Sequence, residues 1–456
     1  MKTGTTNPVR NGDMVALAEI PNLGLDDFRE QVLQVCENNG RIAALFGQPA
    51  GADSVRLFAV LANDADGQLT LCSTEVADHY PALTPACAQA HWFEREIAEQ
   101  WGVCPEGHPW LKPVRFHHSY RKGHDTWNRA ADTPITPGVM DFFKMTGEEV
   151  HEVAVGPVHA GIIEPGHFRF QCHGEKVYHL EISLGYQHRG VERALVGGPN
   201  KRTIPYLETL AGDVGYLPTA SFCGRIRGDF LNLTALICGN RFGRGLVRPG
   251  GVLFELDPAR QTQLEERLEQ ARQDVTNAVN LLWDAPSVRS RFENAGPIPR
   301  DTALDLGLVG VVARASGIER DVRAQFPSGL YRFAQIPVSS YHTGNVFARA
   351  YVRWMEIQRS LAFVFDQLQA LPDGPVRAET GPLAANRAVV SLVEGWRGEI
   401  CHVALTDAAG KFAHYKIVDP SFYNWMGLAM ALRDQQISDF PLCNKSFNLS
   451  YCGHDL

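Results

Sequence analysis

Clustered cysteines are missing from this sequence, although it contains ten cysteines. No two of them form a CxxC pair, and both iron–sulfur clusters and structural zinc sites need clustered thiolates. The spacing therefore predicts neither kind of site. In a reducing compartment most of the thiols should pack as small buried hydrophobic side chains. The ten are Cys36, Cys72, Cys87, Cys104, Cys172, Cys223, Cys238, Cys401, Cys443 and Cys452.

Long apolar runs and an excess of positive charge are missing as well. No apolar run reaches the roughly 20 residues that span a bilayer, and the polar residues 1–13 contain no signal-peptide core. The formal net charge of -8, with no basic run interleaved with aromatic residues, argues against nucleic acid as a partner. We therefore expect a cytoplasmic protein that associates peripherally with the inner membrane through partner subunits.

What remains is an ordinary globular composition, with 45% hydrophobic and 21% charged residues. At 456 residues the chain is too long for one compact core, so we expect two or three domains. The predicted fold class is α+β. An N-terminal α/β domain covers residues 1–120, a linker covers 121–145, and a mainly α-helical domain covers 146–456 and opens with a small β-sheet.

The N-terminal domain shows regular patterns. Residues 23–40 form an amphipathic helix pattern stopped by glycine, and strand-like runs follow at 41–46, 54–61 and 68–73. A second helix is predicted from residue 91 up to the glycine at position 102, and we interpret its charged residues as structural.

Residues 117–145 are rich in charge, proline and glycine, which indicates a linker. His117 and His118 suggest a metal site, but adjacent residues on an extended segment point to opposite faces. A solvated linker is therefore the favoured interpretation.

Two neighbouring segments carry the strongest sign of chemistry. Residues 156–170 place His159, Glu164 and His167 among glycine and proline, and residues 180–193 alternate like a strand before they become helical. A polar loop tied to a strand-to-helix passage is a frequent position for a buried reaction site. A tight hairpin with surface histidines is the alternative.

The later part of the chain is predicted to be helical. Asp257-Pro258 is an N-cap followed by proline at the first helical position, and an apolar stripe follows it. Four further arginines could line a polar cavity or form salt bridges within a helical bundle, and the second interpretation is favoured. These are Arg314, Arg323, Arg349 and Arg353.

Taken together, these segments resemble the large-subunit family of complex I and the group 4 membrane-bound nickel–iron hydrogenases of the formate hydrogenlyase and hydrogenase-4 type. Residues 91–115 are similar to complex I's small hydrophilic subunit, which is fused ahead of the large subunit in formate hydrogenlyase-type proteins. The segments that carry the resemblance are residues 91–115, 156–170, 180–193, 303–323, 344–368, 392–402 and 415–425.

The resemblance stops at the metal ligands. Hydrogenase large subunits carry an arginine-glycine turn near the metal pocket, like Arg397-Gly398 here, and an Asp-Pro-Cys-x-x-Cys motif. In this chain Ser421 and Asn424 stand at the cysteine positions after Asp419. Neither side chain replaces the soft thiolate that nickel needs.

The upstream cysteine pair of the family is missing too. Residues 206–213 resemble the start of that ligand segment, and residues 214–232 resemble a helix well downstream of it. We infer a deletion of several dozen residues near 212–214, with simple substitution as the alternative. The same deletion would remove the tyrosine that complex I offers to its quinone.

The resemblance implies a peripheral-arm subunit of a membrane-bound oxidoreductase related to complex I and hydrogenase-4, which couples electron transfer to ion translocation without its own nickel–iron centre. A structural or coupling scaffold is the alternative, and a true nickel–iron hydrogenase is a weaker third. His159, Glu164, Arg397 and Asp419 are the candidate catalytic residues, with His159 and Glu164 as proton carriers.

The implied partners carry the cofactors that this chain lacks. They are an iron–sulfur small subunit, a ferredoxin-like subunit and antiporter-like membrane subunits. We expect no cofactor in the chain itself, iron–sulfur clusters in the partners, and a quinone at a subunit interface.

Overall fold

The computed structural model describes residues 8–51, 53–159, 163–201, 203 and 222–456. The deletion that we infer near 212–214 lies outside these residues and stays a prediction. No helix in the described ranges is long and apolar enough to cross a membrane.

The N-terminal part is built on a three-stranded antiparallel sheet, β2–β4, with helices α1 and α2 against it. Helix α1 has two acidic residues in its first turn, which suit a helix N-terminus. Helix α2 ends at Gly102, whose left-handed backbone (φ 64°) closes the last turn. The sequence predicted these helices and strands. The elements are β1 Met14–Ala16, α1 Leu25–Glu37, β2 Arg41–Pro49, β3 Val55–Asn63, β4 Gln68–Val76, β5 His79–Pro81, α2 His91–Trp101 and β6 Cys104–Glu106.

The segment that follows β6 has no helix or strand until residue 150, and its first part packs against α2. Glu99 of α2 accepts hydrogen bonds from four successive backbone amides of residues 114–117. Arg121 is buried and donates to the carbonyls of Ala77 and Trp101. Residues 114–121, which include the first residues of the predicted linker, are therefore packed along α2, because the buried Glu99 carboxylate and the Arg121 guanidinium hold the backbone there.

The second part opens with the predicted small sheet, β7–β9, and continues with helices. Asp257 caps the helix that starts at Pro258 and accepts from the amide of Arg260 at 2.8 Å. The elements are β7 Val150–Val155, β8 His167–His173, β9 Lys176–Ser183, α3 Val191–Leu195, α4 Phe222–Cys238, β10 Val247–Arg248, β11 Gly251–Val252, α5 Pro258–Trp283, α6 Pro286–Asn294, α7 Arg300–Asp305, α8 Gly310–Ala315, α9 Val322–Gln325 and α10 Val346–Gln369.

A second sheet near the C-terminus was not predicted. Strands β12, β13 and β14 form an antiparallel sheet, and β1 pairs with β12 so that Met14 lies opposite Val389. Strands β12 and β13 meet at the Trp396-Arg397 turn, and buried residues alternate with partly exposed ones on either side of it. The elements are β12 Arg387–Gly395, β13 Gly398–Thr406, β14 Phe412–Val418, α11 Pro420–Ala431, α12 Phe440–Phe447 and α13 Tyr451–His454.

Two hydrophobic cores position the later parts of the molecule. The first core joins α1, α2 and β2–β4 to β12–β14, so the N-terminal sheet and the C-terminal sheet share one interior. The second core packs β8 and β9 against α11 and α12. Helices α4, α5 and α10 share a smaller cluster of their own.

The four arginines of the helical part divide into two pairs. Arg314 and Arg323 form ion pairs with a shared carboxylate, Asp321, as the salt-bridging interpretation requires. Arg349 and Arg353 instead donate to backbone carbonyls, among them Gly344 and Ser446 respectively. Their role is to hold loops against α10.

Candidate functional site

A buried C-terminal turn, residues 450–455, organises the predicted site. Every residue of this turn is buried. Ser450 caps the short helix α13 by accepting from the amide of Gly453 at 2.9 Å. Asp455 accepts from the amides of Gly185 and Gln187 at 2.8 and 3.0 Å, which ties the turn to the loop after β9.

Glu164 connects the predicted loop to this turn. Its Oε2 accepts from the amide of Cys452 at 2.9 Å. The side chain is half-buried, so one carboxylate oxygen anchors the loop while the carboxyl group stays within reach of solvent.

Asp419 approaches the same turn from the other side. It caps α11 and accepts from the amide of Ser421 at 2.8 Å. Its carboxylate also lies against Gly453, where a Cβ atom would come within 2.6 to 2.8 Å of the Asp419 carboxyl atoms. Only glycine lets the chain pass this close.

Arg397 interacts electrostatically with both carboxylates. It occupies the two-residue turn between β12 and β13, is 8% exposed, and donates through Nε to the carbonyl of Asn448. Burial lowers the pKa of Arg397, and the negative charges of Asp419 and Glu164 oppose that shift. The three predicted residues therefore form one electrostatic group around the C-terminal turn, which we call the Arg397 cluster (Glu164, Arg397 and Asp419).

His159 is the predicted residue that lies apart. Its Nε2 donates to the carbonyl of Gly166 at 2.8 Å, and its ring contacts Phe168 at 5.7 Å between centroids. These contacts hold the two ends of the loop together. They do not place the imidazole against Arg397 or Asp419.

The positions of the missing metal ligands are filled by structural hydrogen bonds. Ser421 is fully buried, and its hydroxyl accepts from the amide of Ser450 at 2.8 Å. Asn424 is also fully buried, and its amide both donates to and accepts from the backbone of Val309 at 3.1 Å. Both side chains are already engaged and offer no thiolate, so this site does not fit a nickel–iron centre.

Cys452 is a site residue that sequence reasoning missed. It lies beyond the metal-ligand motif in the chain, yet it is buried beside Ser450 and next to Glu164. The serine cap at Ser450 followed by a short helix was the available signal for a turn. Nothing in the spacing shows that this turn folds back onto α11.

Chemically, the Arg397 cluster offers two half-buried carboxylates beside one buried guanidinium. Among the residues that the structure describes, no group of three or more His, Cys, Asp and Glu side chains could hold a metal ion. A cavity of about 450 Å³ lies elsewhere, between α2, β9 and α11, and none of the four predicted residues lines it.

Comparison with known protein families gives two matches in order along the chain. The family described as the 30 kDa subunit of respiratory-chain NADH dehydrogenase matches residues 32–129. The family described as the 49 kDa subunit of the same enzyme matches residues 213–387.

Individual relatives come from two kinds of enzyme. Formate hydrogenlyase subunit 5 of Escherichia coli K12 is 25% identical over 435 residues, covering 82% of this chain and 76% of the relative. The C/D subunit of the NADH-quinone oxidoreductase of Bacteroides thetaiotaomicron is 24% identical, covering 74% of this chain and 79% of the relative. The alignment with formate hydrogenlyase subunit 5 is longer than the part of this chain that it covers, so it contains gaps in this chain. The formate hydrogenlyase protein therefore has residues with no counterpart here.

A solved structure shares the fold. A chain in the membrane-bound sulfane sulfur reductase, described as an archaeal respiratory membrane complex, matches with a TM-score of 0.58 and 20% identity. The match covers 69% of this chain and all of the other. At this identity the likeness shows the architecture alone.

Proposed function

We propose that this chain is a peripheral subunit of a membrane-bound oxidoreductase related to complex I. Its family combines the 30 kDa and 49 kDa subunits of complex I and also includes formate hydrogenlyase and hydrogenase-4 subunits. The two family matches, in the fused order, carry this proposal. Its complex would couple electron transfer to ion translocation, and the chain would associate with the inner membrane through partner subunits.

The chain takes part in electron transfer without a nickel–iron centre of its own. Support comes from Ser421 and Asn424, whose buried side chains are already bonded to Ser450 and Val309. Electrons would then be carried by clusters in an iron–sulfur small subunit and a ferredoxin-like subunit, with a quinone bound at a subunit interface. Antiporter-like subunits would supply the membrane part.

Within this function the Arg397 cluster, together with His159, carries protons. Glu164 is half-buried, so its carboxyl group lies within reach of solvent, beside the Arg397 guanidinium. Histidine is the side-chain type that most readily carries protons near neutral pH, which supports His159 in this role.

A structural scaffold is the second candidate, and a specific observation favours it. Glu164 and Asp419 each accept a hydrogen bond from a backbone amide, that of Cys452 and that of Ser421 respectively. Side chains that only anchor backbone would make the same bonds.

Native purification with elemental analysis tests the proposal. An affinity tag on the chain should recover cluster-bearing and multi-spanning membrane proteins, with iron but no nickel, and the preparation should not reduce methyl viologen with hydrogen. Recovery of a folded monomer without partners would overturn the proposal that the chain is a subunit of a complex. About one nickel per chain, together with hydrogen-dependent viologen reduction, would identify a true hydrogenase.

A further inference from the structure

Two cysteines lie against each other at the edge of the N-terminal core. Cys36 is in the last turn of α1, and Cys87 directly precedes the short 3₁₀ turn that leads into α2. Both are free thiols, and they share a hydrogen bond. Cys87 belongs to the first hydrophobic core, and Cys36 packs against the same core. The two residues are far apart in the chain, so only the fold brings their sulfur atoms together.

Hydrogen bonds on both sides of the pair hold the two segments together. Before the cysteines, Arg29 of α1 donates through Nη2 to the carbonyl of Ala82 at 3.4 Å. After them, Gln89 donates to the carbonyl of Gly40 at 3.5 Å and accepts from the amide of Ile42 at 3.0 Å. The backbone is therefore fixed on both sides of the thiol pair, and the contact between the thiols follows from the packing of their segments.

The pair lies just below the surface. Cys36 is partly exposed. Cys87 is 5% exposed, but its neighbours in the chain, Ala86 and Ala88, are both exposed. A small oxidant can therefore reach the thiols in the folded protein. Cysteines that sense oxidants combine such access with a second cysteine beside them.

The two thiols differ in acidity. The hydrogen bond with Cys36 lowers the pKa of Cys87, the amides of Gln89 and Ala90 act in the same direction, and burial opposes them. The same hydrogen bond raises the pKa of Cys36, and burial adds to that shift. Because the thiolate is the nucleophile in thiol oxidation, Cys87 is the sulfur that reacts first and Cys36 is the one that resolves the product.

We propose that Cys36 and Cys87, which rest as thiols in a reducing compartment, form a reversible disulfide when the chain meets a peroxide. Cys87 attacks a peroxide oxygen, so that an S–O bond forms, the O–O bond breaks, and the leaving hydroxide takes up a proton to become water. Cys36 then attacks the sulfenic acid of Cys87, so that an S–S bond forms, the S–O bond breaks, and the second oxygen leaves as water with the Cys36 proton. Two thiols and one peroxide thus give one disulfide and two waters, and a dithiol reductant restores the thiols.

The disulfide fixes α1 to the start of α2, close to a contact between the two halves of the molecule, which meet near residue 145. Gln89 makes this contact, because it also donates to the carbonyl of Leu304 in α7 at 3.3 Å. A cross-link between segments so distant in the chain restricts the unfolded state, so the oxidised protein should be harder to unfold. This redox site goes beyond the proposed electron-transfer function and does not depend on it, because neither cysteine lies in the Arg397 cluster.

Peptide mapping of the peroxide-treated full chain tests the pair. We expect a peptide joined through Cys36 and Cys87, lighter than the two free peptides by the two thiol hydrogens, which dithiothreitol separates again. Cys104 is the internal control, since it is also partly exposed but lies on β6 beside Glu106, where burial and that carboxylate raise its pKa. It should be oxidised about tenfold more slowly. Sulfinic or sulfonic acid on Cys36 or Cys87 without the cross-link, or oxidation of Cys104 at the same rate, would overturn the proposal.

Two serine variants assign the order of attack. In Cys36→Ser the sulfenic acid of Cys87 has no resolving partner, so peroxide should convert Cys87 to the sulfinic acid. In Cys87→Ser the remaining thiol, Cys36, should be oxidised about tenfold more slowly than Cys87 is in the other variant. Equal oxidation of the two single thiols would show that the order is wrong. Peroxide should also raise the midpoint of thermal unfolding of the parent and of neither variant, and a cross-linked parent with an unchanged midpoint would contradict the fixing of α1 to α2.

Discussion

At Glu164, anchoring and proton exchange place different demands on one side chain. Anchoring needs an oxygen that accepts from the amide of Cys452, and proton exchange needs an ionisable carboxyl group. Glutamine supplies the first without the second, and alanine supplies neither. The pair of variants therefore separates the two functions that the site supports.

We predict that Glu164→Gln leaves the complex assembled but lowers coupled turnover at least tenfold, because the acceptor oxygen remains and the proton carrier is lost. Glu164→Ala should also destabilise the chain by about 1 kcal/mol, through loss of the bond to the Cys452 amide. The measurements are ion-coupled electron transfer in membrane vesicles and thermal unfolding of the purified complex. Glu149→Gln is the matched control, because that carboxylate is exposed just before β7 and pairs with His173. If Glu164→Gln turns over like the parent, Glu164 is only an anchor and the scaffold function is favoured.

Residues differ in how far the sequence reveals their role. The substitutions at Ser421 and Asn424 were visible, because a motif with fixed spacing shows which side chain stands at a ligand position. The hydrogen bonds that these residues make were not visible, since their partners Ser450 and Val309 lie far away in the chain. Cys452 was missed for the same physical reason.

At the scale of elements, the sequence predicted the helices and strands whose formation depends on residue spacing and composition within the element itself. Helix α2 follows from its apolar spacing and its terminal glycine, and strands β2–β4 follow from their composition. Strands β12 and β13 carry alternating patterns that were not read as strands, and the pairing of β1 with β12 was missed because β1 comes from the beginning of the chain. Pairing between strands so distant in sequence is not visible in the local pattern of either strand.

Buried charges connect these elements across the two halves. Lys416 of β14 donates to Glu96 of α2 at 2.7 Å and to Glu192 of α3 at 3.0 Å, and Arg115 also pairs with Glu96. Burial alone would raise the pKa of Glu96, but Arg115 and Lys416 together lower it to about 2. The folded pKa thus lies below the value of about 4.3 in an unfolded chain. This carboxylate therefore stabilises the fold above about pH 4.3, and the contribution disappears as the pH falls toward 2.

We predict that Lys416→Met lowers the free energy of unfolding by about 3 to 5 kcal/mol at pH 7, because it leaves Glu96 and Glu192 buried without their shared cation. The difference from the parent should shrink as the pH is lowered toward 3, since protonation then removes the negative charge that Lys416 no longer balances. Denaturant unfolding at several pH values measures both effects. Arg272→Met breaks an exposed pair with Glu269 and should change stability little at any pH. A difference for Lys416→Met that stays constant down to pH 3 would contradict this electrostatic explanation.

At the scale of the whole molecule, the shared core makes the two halves one cooperative unit. Strands β2–β4 and β12–β14 contribute to the same hydrophobic interior. Strand β1 from the N-terminal half also pairs with β12 of the C-terminal half. Helices α4, α5 and α10 pack in a smaller cluster of their own, built on five buried leucines. Regions with few buried apolar contacts open at lower free energy than a large core.

Native-state hydrogen exchange should therefore report two levels of stability in the full chain. We predict that amides of β3 and β13 exchange with the same opening free energy, because neither sheet can separate without exposing the interior that both share. Amides in the middle of α5 should open at a free energy lower by at least about 2 kcal/mol. Adding denaturant should shift β3 and β13 in parallel, since both exchange only when the shared core unfolds. If β3 instead opens at a lower free energy than β13, the N-terminal half is an independent folding unit, and the cavity between the halves could be lost while the C-terminal sheet stays intact.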